Sequence, residues 1–303
     1  MTPVAITGMH RSGTSLVAAL LQAHGLWLGA PDQLLGATAH NPEGHFENLR
    51  VSAVNDAVLE LHGGSWDRVP ELPPGWLDEP RVAALLAEAT DLVAGFPSRP
   101  WGFKDPRTSL LVDFWRRAAG VSRFVVCVRH PLEVAQSLGR RNLMPKERAL
   151  DLWMAHNRAL LAGTSVPERF VVDYAELCAR PVEICDQLLG WLDLPLSRVQ
   201  PAVVEATVNP ALRHHRAAPE ETAGGTVPGP VDALYQALLA EAAHASLAPA
   251  TAAEQTLDEV RRLSRALAGL DLAVRDLQVH ATHLCYVTER IEATLKELTD
   301  GQG

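Results

Sequence analysis

A short strand that runs through a glycine-bearing turn into a helix is the feature that most constrains this chain. Residues 4–7 form an apolar run, and helix formers follow at residues 16–21. In this arrangement, backbone N–H groups and the positive end of the helix dipole point at one anion. Gly8 and Gly13 bracket four residues, which is the glycine spacing of a P-loop. The sequence therefore predicts an anion-binding turn where the first strand ends.

The turn differs from a P-loop in the position of its cation. Thr14 stands where a P-loop has lysine, and Arg11 lies inside the turn instead. A kinase of the P-loop type also needs a strand-end aspartate that helps to hold magnesium. The displaced cation favours an enzyme that holds a sulfonated nucleotide over a kinase.

A second buried strand, residues 124–128, carries the other half of the signal. It ends on Arg129, and Ser137 follows eight residues later on the next predicted helix. The planar fork of an arginine binds phosphate oxygens bidentately, so Arg129 and Ser137 are expected to meet across one oxyanion. A cation in place of the magnesium-binding aspartate indicates a second phosphate group, and no metal site is predicted.

Here the chain resembles the sulfotransferases that use 3′-phosphoadenosine 5′-phosphosulfate (PAPS). Their 5′-phosphosulfate loop is similar to residues 11–15, their 3′-phosphate motif to residues 128–137, and their strand-end Tyr-Glu-x-Leu segment to residues 172–177. The resemblance covers roughly residues 3–216 and implies that PAPS is the donor and adenosine 3′,5′-bisphosphate (PAP) the product. The residues that it assigns to the donor are Arg11, Ser12, Gly13, Thr14, Ser15, Arg129, Ser137 and Tyr174, with Tyr174 at the adenine.

Three residues are the predicted catalytic groups. Lys104, in a Lys-Asp-Pro element similar to that of tyrosyl-protein and bacterial carbohydrate sulfotransferases, is expected to neutralise the leaving oxygen. The chain has three lysines against 24 arginines, so a lysine at a predicted strand end suggests that a compact point charge is needed there. Glu47, in the first turn of a predicted helix, resembles the glutamate base of the same relatives. Arg11 is the third group, and His10 and His45 are alternative bases.

Other residues complete the predicted pocket. Arg141 lies one helical turn beyond Ser137 and is expected to share the 3′-phosphate. Trp66 is expected to stack on the base, to line the acceptor cleft or to pack in the core. Asp105 and Arg107 are expected to orient the loop that follows Lys104. Residues 212–216 are a candidate cover for the nucleotide.

Charge and cysteine usage narrow the function classes. The net charge of −9 is concentrated in residues 217–303, which carry −7, so the arginines of the nearly neutral part indicate a local anion pocket and argue against nucleic-acid binding. The four cysteines show neither zinc nor disulfide spacing. No leader or membrane-spanning run is recognisable, and we expect a cytoplasmic protein.

Apolar strands that alternate with helices predict an α/β fold, a P-loop-type parallel sheet with helices on both faces. Ligands of such sheets bind beyond the carboxyl ends of the strands, where all of these motifs fall. The predicted domains are a PAPS-binding domain at 1–216, a linker and helix at 217–252, and a coiled-coil helix at 253–300. Leucine-rich heptads in that last segment predict a homo-oligomer, a coiled-coil dimer, or a coiled-coil partner protein.

The predicted function is transfer of a sulfuryl group from PAPS to a hydroxyl or amine of a saccharide or other small acceptor. Two alternatives remain open at this point. One is a P-loop kinase of a small molecule, and the other is an inactive nucleotide-binding scaffold that the coiled coil assembles.

Overall fold

The sheet at the centre of the protein is parallel. The computed structural model describes residues 2–36, 44–208 and 227–244. Within these ranges, four strands pair in the order β2-β1-β3-β4. They are β1 (Val4–Thr7), β2 (Gly102–Lys104), β3 (Arg123–Val128) and β4 (Arg169–Asp173). All four run the same way, so their carboxyl ends form one edge of the sheet, as the apolar runs predict.

Helices cover both faces of this sheet. They are α1 (Thr14–Ala23), α2 (Leu49–Leu61), α3 (Pro80–Ala94), α4 (Val112–Ala119), α5 (Pro131–Asn142), α6 (Lys146–Gly163), α7 (Tyr174–Ala179), α8 (Pro181–Leu192), α9 (Pro201–Thr207) and α10 (Gly229–His244). Successive residues of a strand point to opposite faces. Accordingly, Ala5 of β1 packs with α2–α6, whereas Val4 and Ile6 pack with α1 and α8. The predicted two-sided α/β fold is confirmed.

Local boundaries differ from the predictions at several points. The predicted helix at 47–62 begins only after Asn48, whose side chain accepts hydrogen bonds from the backbone N–H groups of Arg50 and Val51. Glu47 therefore precedes the helix, and its predicted place in the first turn is wrong. An amide side chain is a strong N-cap, which explains the later start. The predicted helix at 108–119 is a 3-10 turn, Pro106–Leu110, followed by α4.

Two described helices, α7 and α9, were not predicted. A third, α10, is the helix predicted after the linker, and it lies beyond the resemblance. The short helices α7 and α9 fall in segments read as strand end and loop. Helix α10 packs on the sheet through Val231, Tyr235 and Leu238, all of which are buried. The candidate nucleotide cover at 212–216, the predicted boundary at 216 and the predicted coiled coil at 253–300 lie outside the described residues and stay predictions. No described helix combines the length and apolar character that a bilayer crossing requires.

Candidate active site

The turn between β1 and α1 fits closely against its surroundings. Gly8 has a φ of 140°, and a Cβ there would lie 2.2 Å from the carbonyl oxygen of Cys127 in β3. Gly13 has a φ of 92°, and a Cβ there would lie 2.5 Å from the ring of Tyr174. Only glycine adopts these angles readily and leaves that space free. The two glycines therefore hold the turn against the ends of two neighbouring strands.

The N-terminus of α1 is left positive. Its N-cap, Gly13, offers no side chain, and the first turn contains no acidic residue. Ser12 is 1% exposed, and its Oγ has no hydrogen-bond partner among the described residues. Thr14 is also buried. The unpartnered Ser12 hydroxyl and the positive end of the helix dipole together favour an anion at this end of the helix.

Arg11 connects the turn to the second motif. Its backbone is left-handed, with a φ of 70°, and its Nε donates a 2.9 Å hydrogen bond to the Oγ of Ser137 on α5. Ser137, which is expected to share an oxyanion with Arg129, thus also contacts the cation of the turn. Arg129 pairs with Glu133, at 2.6 Å, and donates to the backbone oxygen of Arg11. The two predicted anion-binding elements thus lie side by side.

Like charges surround Arg11. Its pKa is lowered first by burial and then by the charges of Arg141 and Arg129. The guanidinium of Arg129 lies 4.6 Å above the ring of Tyr174, which also faces Gly13. Tyr174 therefore lies between the two motifs, and Arg141 is close enough to act on Arg11 through its charge. Residues predicted from separate motifs converge on one positive cleft.

An ion pair between Glu47 and Lys104 forms the other half of the site. The Nζ of Lys104 donates to the Oε1 of Glu47 at 2.5 Å and to the backbone oxygen of His45 at 3.0 Å. Glu47 is 6% exposed and Lys104 2%. Burial raises the pKa of Glu47 and lowers that of Lys104, and in both cases the partner's charge and hydrogen bond act against the shift. Both groups are consequently moved toward neutrality, as proton-transfer groups require.

Each member of this pair keeps bonding capacity. An ammonium has three donors, and two of those on Lys104 are used by Glu47 and His45. The Oε2 of Glu47 has no hydrogen-bond partner within the described residues. Ser15 donates to the same His45 carbonyl at 3.4 Å, which links the pair to the turn. Phe46, between His45 and Glu47, has a left-handed φ of 61°.

A polar network braces Lys104 against α2. The carboxylate of Asp105 accepts from Ser52 of α2 at 2.8 Å and from the backbone N–H of Arg107 at 2.8 Å. Arg107 in turn pairs with Asp56 of α2 at 2.6 Å. Asp105 and Arg107 therefore orient the loop, as expected. Ser52 and Asp56 also belong to this network but were not predicted. Nothing in the local sequence distinguishes them from other polar residues of a helix.

His10 and Trp66 lie together beside the turn. Their ring centroids are 4.3 Å apart, and the Nε2 of His10 is covered without a described hydrogen-bond partner. The pKa of His10 is well below its usual value, first because of burial and then because of His156 and the cations Arg107, Lys104 and Arg141. His10 is therefore neutral at physiological pH. The ring of Trp66 packs against that of His10, so Trp66 lies beside the turn that follows β1.

His156 was missed by the sequence reasoning and holds this corner in place. Burial lowers its pKa to about 4, so it is neutral. A carbonyl only accepts, so the Nε2 of His156 carries the proton and donates to the oxygen of Trp66 at 2.8 Å, while its Nδ1 faces the Oγ of Ser109 at 2.7 Å. No local motif surrounds His156 in the sequence, and only the fold brings it to Trp66.

The solved structures similar to this one include the sulfotransferase domain from the curacin biosynthetic pathway, with 16% identity over 79% of this chain and 96% of that chain and a TM-score of 0.47. The sulfotransferase domain of the Synechococcus PCC 7002 olefin synthase has 18% identity over 82% and 96%, also with a TM-score of 0.47. The sulfotransferase STF9 from Mycobacterium avium has 17% identity over 79% and 75%, with a TM-score of 0.41.

A sequence search among curated proteins found no match. The profile described as "Sulfotransferase family" matches residues 3–198. That range includes the turn, the Glu47–Lys104 pair and the Arg129–Ser137 element. The chain belongs to the sulfotransferase family.

Proposed function

We propose that this protein transfers a sulfuryl group from PAPS to a hydroxyl or amine of a small acceptor such as a saccharide. The observation that carries the proposal is the Arg11–Ser137 hydrogen bond. It joins the turn after β1 to the helix after β3, so two cationic elements serve one cleft. A ligand with anionic groups at both ends matches that arrangement.

The residues of the cleft fit such a donor. The unpartnered Ser12 hydroxyl and the first N–H groups of α1 suit the 5′-phosphosulfate. Arg129 and Ser137 suit the 3′-phosphate, and Arg141 adds a third guanidinium whose charge acts on Arg11. The ring of Tyr174, between the two motifs, suits the adenine. Binding a dianion here would relieve the repulsion that lowers the pKa of Arg11.

The Glu47–Lys104 pair is suited to the chemical step. PAPS supplies the sulfuryl group when it is bound. In the proposed in-line displacement, the acceptor oxygen bonds to sulfur while the bond between sulfur and the 5′-phosphate oxygen breaks. Glu47 receives the acceptor's proton through its Oε2, which has no hydrogen-bond partner in the described residues and lies 3.8 Å from the Nδ1 of His45. The remaining donor of Lys104 stabilises the charge on the departing oxygen. Arg11 holds the donor in line.

Two observations disfavour the alternative functions. A small-molecule kinase would need a cation at Thr14 and an aspartate where Arg129 ends its strand, and the chain has neither. An inactive scaffold has no use for a buried pair of opposite charges, because such pairs are often neutral or unfavourable for stability. The unused acceptor of Glu47 and the unused donor of Lys104 therefore favour an active enzyme.

Thermal unfolding of the full chain tests the donor. PAP at about 100 times its Kd should raise the free energy of unfolding by roughly 2.7 kcal/mol and Tm by several degrees. ATP with magnesium should give a much smaller shift at the same concentration. The reverse order would favour the kinase. A screen of product masses, with labelled PAPS and candidate glycans, phenols and amines, then identifies the acceptor; PAP binding with no product from any acceptor class would favour the scaffold.

A further inference from the structure

Helix α10 lies beyond the residues that the family profile matches, yet it packs against the donor half of the site. Its Glu241 forms a bidentate ion pair with Arg169, the first residue of β4, at 2.6 and 2.8 Å. Both side chains are largely buried, with 12% and 5% of their surface exposed. Burial raises the pKa of Tyr235, and the charges of Asp173, the last residue of β4, and of Glu133 add to this effect. The ion pair therefore fixes one end of α10 to the start of β4.

The ring of Tyr235 meets the turn that follows β3. Its centroid lies 5.2 Å from that of His130 and 6.1 Å from that of Trp153, with interplanar angles of 82° and 76°. Edge-to-face contacts of this kind stabilise by more than the area they bury. Tyr235 is 7% exposed, so both contacts are shielded from water.

Each of these two partners fixes a different part of the donor site. The indole Nε1 of Trp153 donates to the backbone oxygen of Arg129 at 3.1 Å. The side chain of His130 accepts from the backbone N–H of Leu132 and so caps α5, the helix that carries Ser137. Through these contacts, Tyr235 supports both the strand end that presents Arg129 and the helix that presents Ser137 to Arg11.

We propose that Tyr235 is a positioning residue for the donor nucleotide, and that α10 is a working part of the donor site rather than an appendage to it. The inference rests on the proposed function, because it assigns Arg129 and Ser137 to the 3′-phosphate end of the donor. Tyr235 acts through His130 and Trp153. Loss of its ring removes the edge-to-face contacts that support the turn after β3.

The test is calorimetric titration of the full chain with PAP. Tyr235→Ala should weaken PAP binding roughly 3- to 10-fold, the range expected from loss of an aromatic pair. Tyr235→Phe keeps the ring and should bind like the wild type. Leu238→Ala is the matched control, because Leu238 is 1% exposed on the same helix and its truncation also removes core packing. It should lower Tm at least as much and leave the Kd for PAP unchanged.

A double-mutant cycle with His130→Asn isolates the contact. Asparagine keeps an N-cap acceptor and lacks the ring, so His130→Asn and Tyr235→Ala should be non-additive for PAP binding. Additive effects, or equal losses for Tyr235→Ala and Leu238→Ala, would reduce α10 to a structural role.

If Tyr235→Ala does not fold, Tyr235→Leu fills much of the same volume without an aromatic edge. A wild type that ignores PAP would sink the proposed function itself, whereas wild-type binding that Tyr235→Ala retains in full would overturn only this inference.

Discussion

The two halves of the cleft solve opposite electrostatic problems. On one side, Glu47 and Lys104 are oppositely charged, nearly inaccessible and bonded to each other. On the other side, Arg11 lies near Arg129 and Arg141, and their charges lower its pKa. Only Arg129 of these three has a carboxylate partner identified in the described structure, Glu133. The first half is neutral as a unit, and the second keeps an excess of positive charge.

This difference assigns a separate task to each half. A neutral buried pair gains little from binding another charge. Because its two members interact strongly, the protonation state of one changes the pKa of the other. A group of guanidiniums with insufficient anionic partners gains from binding an anion, and it cannot move protons because arginine stays protonated. We therefore expect variants of the first half to alter turnover and variants of the second half to alter donor affinity.

The largest effect is expected for Glu47→Gln. Loss of a general base lowers kcat roughly 10²- to 10⁴-fold, whereas the Kd for PAP should change by less than about twofold because Glu47 does not belong to the cationic half. Steady-state sulfotransfer and PAP titration measure the two quantities. Glu60→Gln, on the exposed end of α2, is the matched control and should leave both unchanged. Full turnover by Glu47→Gln would move the base to His10 or His45.

A smaller effect, confined to binding, is expected for the arginines. Arg11→Ala and Arg129→Ala each remove charged hydrogen-bond donors and should weaken PAP binding roughly 10- to 100-fold. Arg11→Lys should also bind poorly, because an ammonium lacks the planar fork that fits a phosphate. Arg117→Ala breaks an exposed ion pair with Asp78 and is the control. If PAP affinity survives in Arg11→Ala while turnover falls, the two halves do not divide the work as described.

The pH dependence of kcat separates the halves more finely. Glu47 must be ionised to accept a proton, and its pKa is raised by burial, so activity should fall with decreasing pH already above the usual glutamate range. Lys104 must be protonated, and its pKa is lowered by burial. Activity should therefore also fall as the pH rises, beginning below the pH at which an ordinary lysine loses its proton.

Lys104→Ala sharpens the same measurement. It removes the charge and the hydrogen bond that oppose the raised pKa of Glu47, and therefore its residual activity should have an acid limb at higher pH than the wild type. The exposed Lys146 supplies the control variant, Lys146→Ala, whose profile should match the wild type. An acid limb that stays in place in Lys104→Ala would show that another group titrates there.

Local patterns allowed much of the fold to be predicted, together with the residues that line the cleft. Apolar runs that end in Arg129 or Lys104 mark strands and place both residues at the carboxyl edge of the sheet. Glycine spacing marks the turn around Arg11. These features depend on neighbours in the chain, so the sequence alone reveals them.

The contacts between these residues depend on distant parts of the chain. Glu47 and Lys104 are 57 positions apart, and Arg11 and Ser137 are 126 apart. The sequence predicted each of these residues, but the hydrogen bond between Arg11 and Ser137 was not predicted, because the two belong to different motifs. The fold adds a contact between the turn after β1 and Ser137, and the guanidinium of Arg129 bonds to Glu133 one helical turn away.

Arg11 and Phe46, one in each half of the cleft, both have a positive φ without being glycine. A left-handed backbone costs such residues on the order of 1–3 kcal/mol. Glycine at either position would relieve this cost, so selection for heat resistance alone would favour its appearance there. At position 11, the same replacement would remove the guanidinium that joins the turn after β1 to Ser137. Engineering for thermostability should therefore hold position 11 fixed, because there durability and the proposed donor recognition oppose each other.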